Sequence, residues 1–474
     1  MTGTDAARYF ASLDAELAAL QEPELQETFV AEQFPNYHHI GSYYDPREKN
    51  AQEEIVSAFE KELSGFDFTP LLAFETRQPK YAKEILHPDC NCFRRVGIKK
   101  RPIKSCSHRD RLVYACWNHY LGGHHKHWVE ASGLSGVVAA YISGTGSSNV
   151  DWARFAFDYF QGRDQYSAVA LDIKSFFDQL PWQLLKDNLI TIVGQEGVLS
   201  EVDFQLFRKI TNYTYVERED LDKVKLKSAT GMLMTRHPSN WKTLKQADLL
   251  KRNDTKKGIP QGLACSGVLA NITMMEFDRK MAKLAKDSES VYLRYADDIF
   301  LGCPDLATRT RLQASVEAEL EVMQLPINGD KTEYFDYFSD SQSHPVISYL
   351  GITCQGNQVS VRRNGINKFY ERTSRFIYSY VNTCKKRGIT PSRHKIHAIF
   401  GHTGKRNYYA YLRRASKVFE GDKKYLPKGI KGVMRKQTPW LDKQFDKALL
   451  SEPTGSARRT GPKLQLCNCP LKRD

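Results

Sequence analysis

Between Val291 and Cys303 the chain reads VYLRYADDIFLGC, in which Val291, Leu293 and Tyr295 alternate with Tyr292, Arg294 and Ala296 at the period of a strand. Ile299, Phe300 and Leu301 supply a short return, so the pattern predicts a hairpin with Asp297 and Asp298 at its turn. Ala168 to Leu171 reads as a buried strand that ends on Asp172 and runs into an aromatic turn at Phe176 and Phe177. Lys257 to Asn271, KGIPQGLACSGVLAN, is a loop punctuated by Gly and Pro that opens a helix. Towards the N-terminus, Ala6 to Leu20 has the spacing of an amphipathic helix, Gln21 to Gln33 is acidic, and Ala51 to Leu63 is helical again. Residues 94–116 predict a basic hairpin with Gly97 near its tip, leading into a helix. The stretch from Phe204 to Lys256 stretches the interval between Asp172 and Gln261 to 89 positions and reads as an elaboration.

Adjacent carboxylates in a tight turn repel each other unless a cation sits between them. An isolated Asp-Asp turn is ordinarily solvated, because Asp favours turns for local hydrogen-bonding reasons. Here a third acid, Asp172, stands at a strand end, and two-metal phosphoryl transfer needs carboxylates from separate segments to hold ions about 4 Å apart. Gln261 and Gly262 lie between them in sequence, where backbone can approach a substrate closely.

DIKSFFD, GIPQGLACSGVLAN, YADD, INGDKTEYF (Ile327 to Phe335) and YLG (Tyr349 to Gly351) resemble the successive palm motifs of reverse transcriptases, over roughly residues 90–380. The wording is most similar to bacterial retron, group II intron and antiphage defence-associated enzymes, and SGTGSSNVDWARFAFDYF, Ser143 to Phe160, resembles a segment those proteins carry. The resemblance implies an α+β right-hand polymerase, with fingers, an antiparallel palm sheet backed by helices, and a basic helical thumb. It divides the chain into an N-terminal helical extension (1–88), fingers and palm (89–355), and thumb and tail (356–474). It implies that Asp172, Asp297 and Asp298 bind two Mg2+ ions, Asp298 as the weaker ligand. Arg101, Phe177, Gln261, Gly262 and Lys331 would meet the incoming dNTP, with Phe177 excluding a ribose 2′-hydroxyl and Lys331 near the leaving pyrophosphate. Tyr349, Leu350 and Gly351 would form the primer grip. Arg94, Lys99 and Lys100 also stand on the basic hairpin, where register decides which side chains face the site.

Charge sharpens this picture. Residues 361–474 hold 28 Lys and Arg against 7 Asp and Glu, a net +21, whereas the whole chain carries +14. Aromatic residues interleave with that charge in KFYERTSRFIYSY and KRNYYAYLRR, the mixture that stacking on bases and contact with phosphates requires. At 474 residues, with 41% hydrophobic and 26% charged positions, the composition is that of a globular chain of several subdomains. It contains no run of eighteen apolar residues and no basic-then-apolar leader, which sets a cytoplasmic expectation without a membrane partner. The ten cysteines are scattered and read as reduced thiols. The Cys90/Cys92 and Cys467/Cys469 pairs and the histidines of NHYLGGHHKHW lack the spacing of a structural zinc site.

The expected activity is RNA-directed DNA synthesis from dNTPs, on a dedicated non-coding RNA and in antiphage defence, with RNA template and nascent DNA as partners. An untemplated polymerase and an inactive RNA-binding scaffold are the alternatives, and a homo-oligomer is left open.

Overall fold

The computed structural model describes residues 1–20, 44–84, 92–142, 146–221, 243–405, 407–421 and 424–451, with positions 23, 26, 27, 29, 30, 39, 144 and 224 between them. Cys90, Cys467 and Cys469 lie outside the described residues, as does the side chain of Arg94.

Helix α1 (Gly3–Ala19) starts at a capping box, in which the Thr2 hydroxyl accepts the Asp5 amide and the Asp5 carboxylate accepts the Thr2 amide. It buries Ala6, Phe10, Leu13 and Leu17, and α2 (Lys49–Glu60) joins the same core through Ala51, Ile55 and Phe59. Strands β1 (Leu71–Glu84) and β2 (Cys92–Ser105) then form one long antiparallel ribbon. Gly97 pairs with Lys80 in the body of that ribbon, so it is a mid-strand residue and not a tip residue as expected. Residues 71–84, within the stretch read as helical, are a strand, and the pair crosses the boundary expected at residue 88.

Helix α3 (His108–Ala131) follows, capped by Ser107. Its first turn is braced from both sides: Arg109 pairs with Glu54 at 2.8 Å, and the buried Asp110 accepts from the Thr69 amide at 2.9 Å and hydroxyl at 2.6 Å. Helix α4 (Asn149–Asp158) leads into β3 (Tyr166–Asp172), which ends at the one-turn helix α5 (Phe176–Gln179) where an aromatic turn was expected. After α6 (Trp182–Val193) and α7 (Glu201–Thr211), β4 (Thr214–Glu217) and β5 (Lys251–Arg252) extend the ribbon into a four-stranded sheet of order β2-β1-β4-β5.

Helices α8 (Ser266–Thr273) and α9 (Met275–Asp287) precede the hairpin β6 (Val291–Tyr295) and β7 (Asp298–Cys303), and α10 (Leu306–Val322) leads to β8 (Glu333–Tyr337). The central sheet has the order β6-β7-β3-β8 and is antiparallel throughout. Both of its faces are covered, which explains the near-continuous apolar reading of β3. Val169, Leu171, Ile299 and Leu301 join a core with α8, α9 and α10, whereas Ala168, Leu293 and Phe300 join a second core with α4 and the sheet that follows. That sheet comprises β9 (Ile347–Tyr349), β10 (Ile352–Gln355) and β11 (Gln358–Val361).

The basic C-terminal region folds as α11 (Arg363–Lys386), α12 (Arg393–Phe400), α13 (Tyr408–Glu420) and α14 (Lys428–Leu450). Phe369, Ile377, Val381, Ile396, Phe400, Leu441 and Phe445 give it a core of its own. Lys368 on α11 reaches Gln78 on β1 at 3.5 Å, so this region touches the ribbon. Among the described residues no helix is long and apolar enough to cross a membrane. The whole is an α+β right hand: a ribboned sheet, a central antiparallel sheet backed by helices, and a basic helical domain.

Candidate active site

Strand pairing brings the three aspartates together. Asp172 stands opposite Asp298 in the β3–β7 register, and opposed residues of an antiparallel pair project to one face with Cβ atoms about 5 Å apart. Asp297 occupies the turn, after Ala296 at φ 57°, and its carbonyl accepts the Ile173 amide at 3.0 Å, which ties the hairpin to the end of β3. Burial raises the Asp297 pKa, and Asp172 adds to the effect. Burial, followed by Asp297 and Asp172, pushes Asp298 up to about 7. The Lys331 ammonium, on the short turn Gly329–Lys331, contacts both oxygens of Asp172 and lies 2.6 Å from Oδ2, while the Asn328 side-chain amide donates to Oδ2 at 3.3 Å. Among the described residues no three acidic, His or Cys side chains gather at metal-ligand geometry, and the cation seated on Asp172 is Lys331.

The ribbon register settles which basic residues face this cluster. Residues 99 and 101 share one face of β2. Lys99 lies within electrostatic reach of Asp172, Asp297, Lys331 and Arg101, and burial, followed by the neighbouring cations, lowers its pKa. Lys100 projects the other way and pairs with Glu75 at 3.2 Å.

A cavity of about 460 Å³ adjoins the cluster, bordered by Phe177, Gln261, Gly262, Tyr295 and Tyr141 among others. The loop ahead of α8 is pinned there: the Gln261 carbonyl accepts the Lys104 amide at 2.9 Å, and the Ser266 hydroxyl donates to the Pro260 carbonyl at 2.6 Å. Gly262, at φ +129°, packs so closely that a Cβ would stand 2.9 Å from the Lys104 carbonyl oxygen, so only glycine fits between loop and ribbon. Tyr349 is placed differently from a residue that touches substrate. Its ring is buried against Phe300, with centroids 4.8 Å apart, leaving Leu350 and Gly351 as the partly open members of that turn.

Behind the hairpin lies a network that motif reading missed. Arg294 is fully buried, donates to both Asp278 oxygens at 2.7 and 2.6 Å, to the Asn271 side chain at 3.2 Å, and to the Ala296 carbonyl at 3.1 Å. Tyr292 adds a 2.7 Å hydrogen bond to Asp278. Alternation with Leu293 and Tyr295 would by itself place an arginine outward, so the sequence carries no sign of this burial, which follows from both faces of β6 being covered.

The family model described as reverse transcriptase (RNA-dependent DNA polymerase) matches residues 99–354, more than half of the chain. The chain belongs to the reverse transcriptase family. The matched span of this reverse transcriptase runs from Lys99 on the ribbon to Cys354 on β10 and so takes in every aspartate of the cluster. No curated protein matches the chain. Among solved structures it is similar to apo telomerase from Candida tropicalis, at 12% identity and a TM-score of 0.41 over 84% of this chain and 63% of that one. A C-terminally truncated form of that telomerase aligns at 13% identity and a TM-score of 0.38, covering 64% of this chain and 58% of that one. Telomerase from Candida albicans in complex with a telomeric RNA fragment aligns at 13% identity and a TM-score of 0.38, over 85% and 65%. The chain thus spans about three fifths of the length of these telomerases.

Proposed function

We propose that this reverse transcriptase extends a DNA strand from dNTPs on an RNA template, and the observation that carries the reading is the convergence of Asp172, Asp297 and Asp298 beside the Phe177–Gln261 cavity. Their donor set suits a hard divalent cation: three carboxylate groups, of which Asp297 and Asp298 are driven toward the neutral form by burial and by neighbouring acids, Asp172 among them in both cases. Asp172, Asp297 and Asp298 would hold magnesium, whose positive charge would favour ionisation of the primer 3′-hydroxyl and offset the charge of the triphosphate.

The chain's own residues do the rest. Lys99 and Arg101 share the face of the ribbon that looks onto the aspartates, where they meet triphosphate oxygens. Lys331 supplies a positive charge at Asp172, within the same cluster. Phe177 borders the cavity and is half-buried, in the position from which it would exclude a ribose 2′-hydroxyl, the group that separates ribo- from deoxynucleotides. Gln261 and Gly262 bring backbone up to the nucleotide, and Leu350 and Gly351 form the turn beside the primer. The +21 helical region grips the duplex phosphates, and its interleaved aromatic residues suit single-stranded template as well.

The finer reading, a dedicated non-coding RNA template, a cytoplasmic setting and a role in antiphage defence, is supported by the resemblance of residues 143–160 to bacterial lineages. The test is to purify the protein from its native locus with bound nucleic acid, add four dNTPs and magnesium, and sequence both the RNA and the DNA. One defined RNA with complementary DNA that disappears in Asp297→Ala supports the proposal. DNA without complementarity replaces it with untemplated synthesis, and no DNA at all replaces it with an RNA-binding scaffold.

A further inference from the structure

Tyr141 combines two unfavourable features. Its backbone sits at φ 57°, a region that bulky residues avoid, and the residue is 51% exposed. Both are held in place from behind. The Ala140 carbonyl accepts the Asn271 side-chain amide at 2.7 Å, the Ala139 amide donates to the Arg294 carbonyl at 2.9 Å, and Val138 bridges in parallel to Arg294. The buried network that steadies the Ala296–Asp297 turn therefore also fixes the backbone that presents Tyr141.

The ring lies on Gly267. A Cβ there would come within 2.6 Å of two ring carbons, so this seat exists only because residue 267 has no side chain. From it Tyr141 borders the same cavity as Phe177, Gln261 and Tyr295, within electrostatic reach of Asp297 and Arg101. A tyrosine that served only as packing would bury its ring. Tyr141 instead stays half exposed beside the cluster.

We propose that Tyr141 is a specificity-determining residue of the polymerase site, whose ring packs on the nascent base pair from a wall of the cavity formed by a different segment from Phe177. This rests on the polymerase reading. A flat aromatic face suits any base pair of correct shape and loses contact with a distorted one, so its contribution is to nucleotide affinity and pairing accuracy. The sugar is left to Phe177.

Single-nucleotide incorporation on a defined RNA template with a DNA primer tests this, with Tyr141→Ala, Tyr141→Phe, Gly267→Ala and the Gly267→Ala/Tyr141→Ala pair. Tyr141→Ala is expected to raise KM for the matched dNTP about tenfold and to lower discrimination against mismatched dNTPs, with kcat changed by no more than about threefold. Tyr141→Phe keeps the ring and should behave as the parent. Gly267→Ala displaces the ring from its seat and should shift KM in the same direction, and the double variant should be no worse than Tyr141→Ala, because both changes remove one contact. Unchanged KM and discrimination in Tyr141→Ala, a loss confined to kcat, or additive effects in the double variant would overturn the inference while parent activity leaves the polymerase reading standing. Should Tyr141→Ala fail to fold, Gly267→Ala carries the same decision. Absence of DNA synthesis by the parent protein overturns both.

Discussion

Lys331 holds both carboxylate oxygens of Asp172 across 159 positions of sequence, and the Asn328 side chain and amide bond to the same residue. The end of β3 is thus tied to the turn ahead of β8, with a cation placed within a cluster of three acids. Replacing that cation changes the chemistry more than the fold, since Lys331 is substantially exposed and has no part in the core. Lys331→Ala is expected to lower kcat by about 100- to 1,000-fold, within the range of a positioned proton donor or charge stabiliser, with little change in RNA affinity. Single-turnover primer extension and filter binding separate the two, and a loss of RNA binding with intact kcat would contradict the role.

The proposed function makes Phe177 the residue that selects the sugar. Phe177→Ala opens the cavity wall, and the ratio of ribo- to deoxynucleotide incorporation is expected to rise at least about tenfold, equivalent to about 1.4 kcal/mol of discrimination. Competitive incorporation of rATP against dATP reads this directly. An unchanged ratio would return Phe177 to a packing residue beside Phe176, whose ring lies 5.6 Å away.

Arg294 and Asp278 form a buried ion pair whose guanidinium also holds the Ala296 carbonyl. Removing one partner strands the other charge in the core, so Asp278→Ala is expected to destabilise by about 3–5 kcal/mol, and replacing both with apolar residues by less. Urea denaturation of the single and double variants measures this. Activity should fall in the double variant even where stability recovers, because the carbonyl before Asp297 loses its donor.

Asp110 supplies a pH dependence away from the aspartate cluster. Burial pushes its carboxyl up to about 6 from an ordinary value of 3.8, so the folded state binds the proton more tightly than the unfolded chain. Its contribution is fully present below pH 3.8 and is lost as pH rises through 6, by roughly 1–3 kcal/mol. The buried His108 and His125, whose pKa values burial lowers to about 4, act in the opposite sense, losing stability as pH falls. The difference between parent and Asp110→Asn isolates the carboxyl: the variant should gain on the parent between pH 4 and pH 8 in denaturant titrations, and a constant difference would contradict the assignment.

Local pattern was enough for the elements that carry the chemistry. Alternation from Val291 to Tyr295 with a short apolar return specified the hairpin, an apolar run ending on Asp172 specified β3, and the motifs from Asp172 to Gly351 specified the family, because strand period and motif order are properties of contiguous residues. Relationships between distant segments were decided only by tertiary structure. Gly97 proved to be mid-strand because β2 pairs along its length with β1, where Lys80 stands opposite it, a segment the sequence places only within the N-terminal extension. Lys99 and Lys100 separated into a residue facing the aspartates and one facing Glu75 only once the register was set. Tyr349 turned inward onto Phe300, and Tyr141 turned outward onto Gly267, though neither stretch marks the difference. A side chain's direction depends on what packs behind it, and for these residues the packing comes from 17 to 126 positions away, beyond the reach of the local pattern.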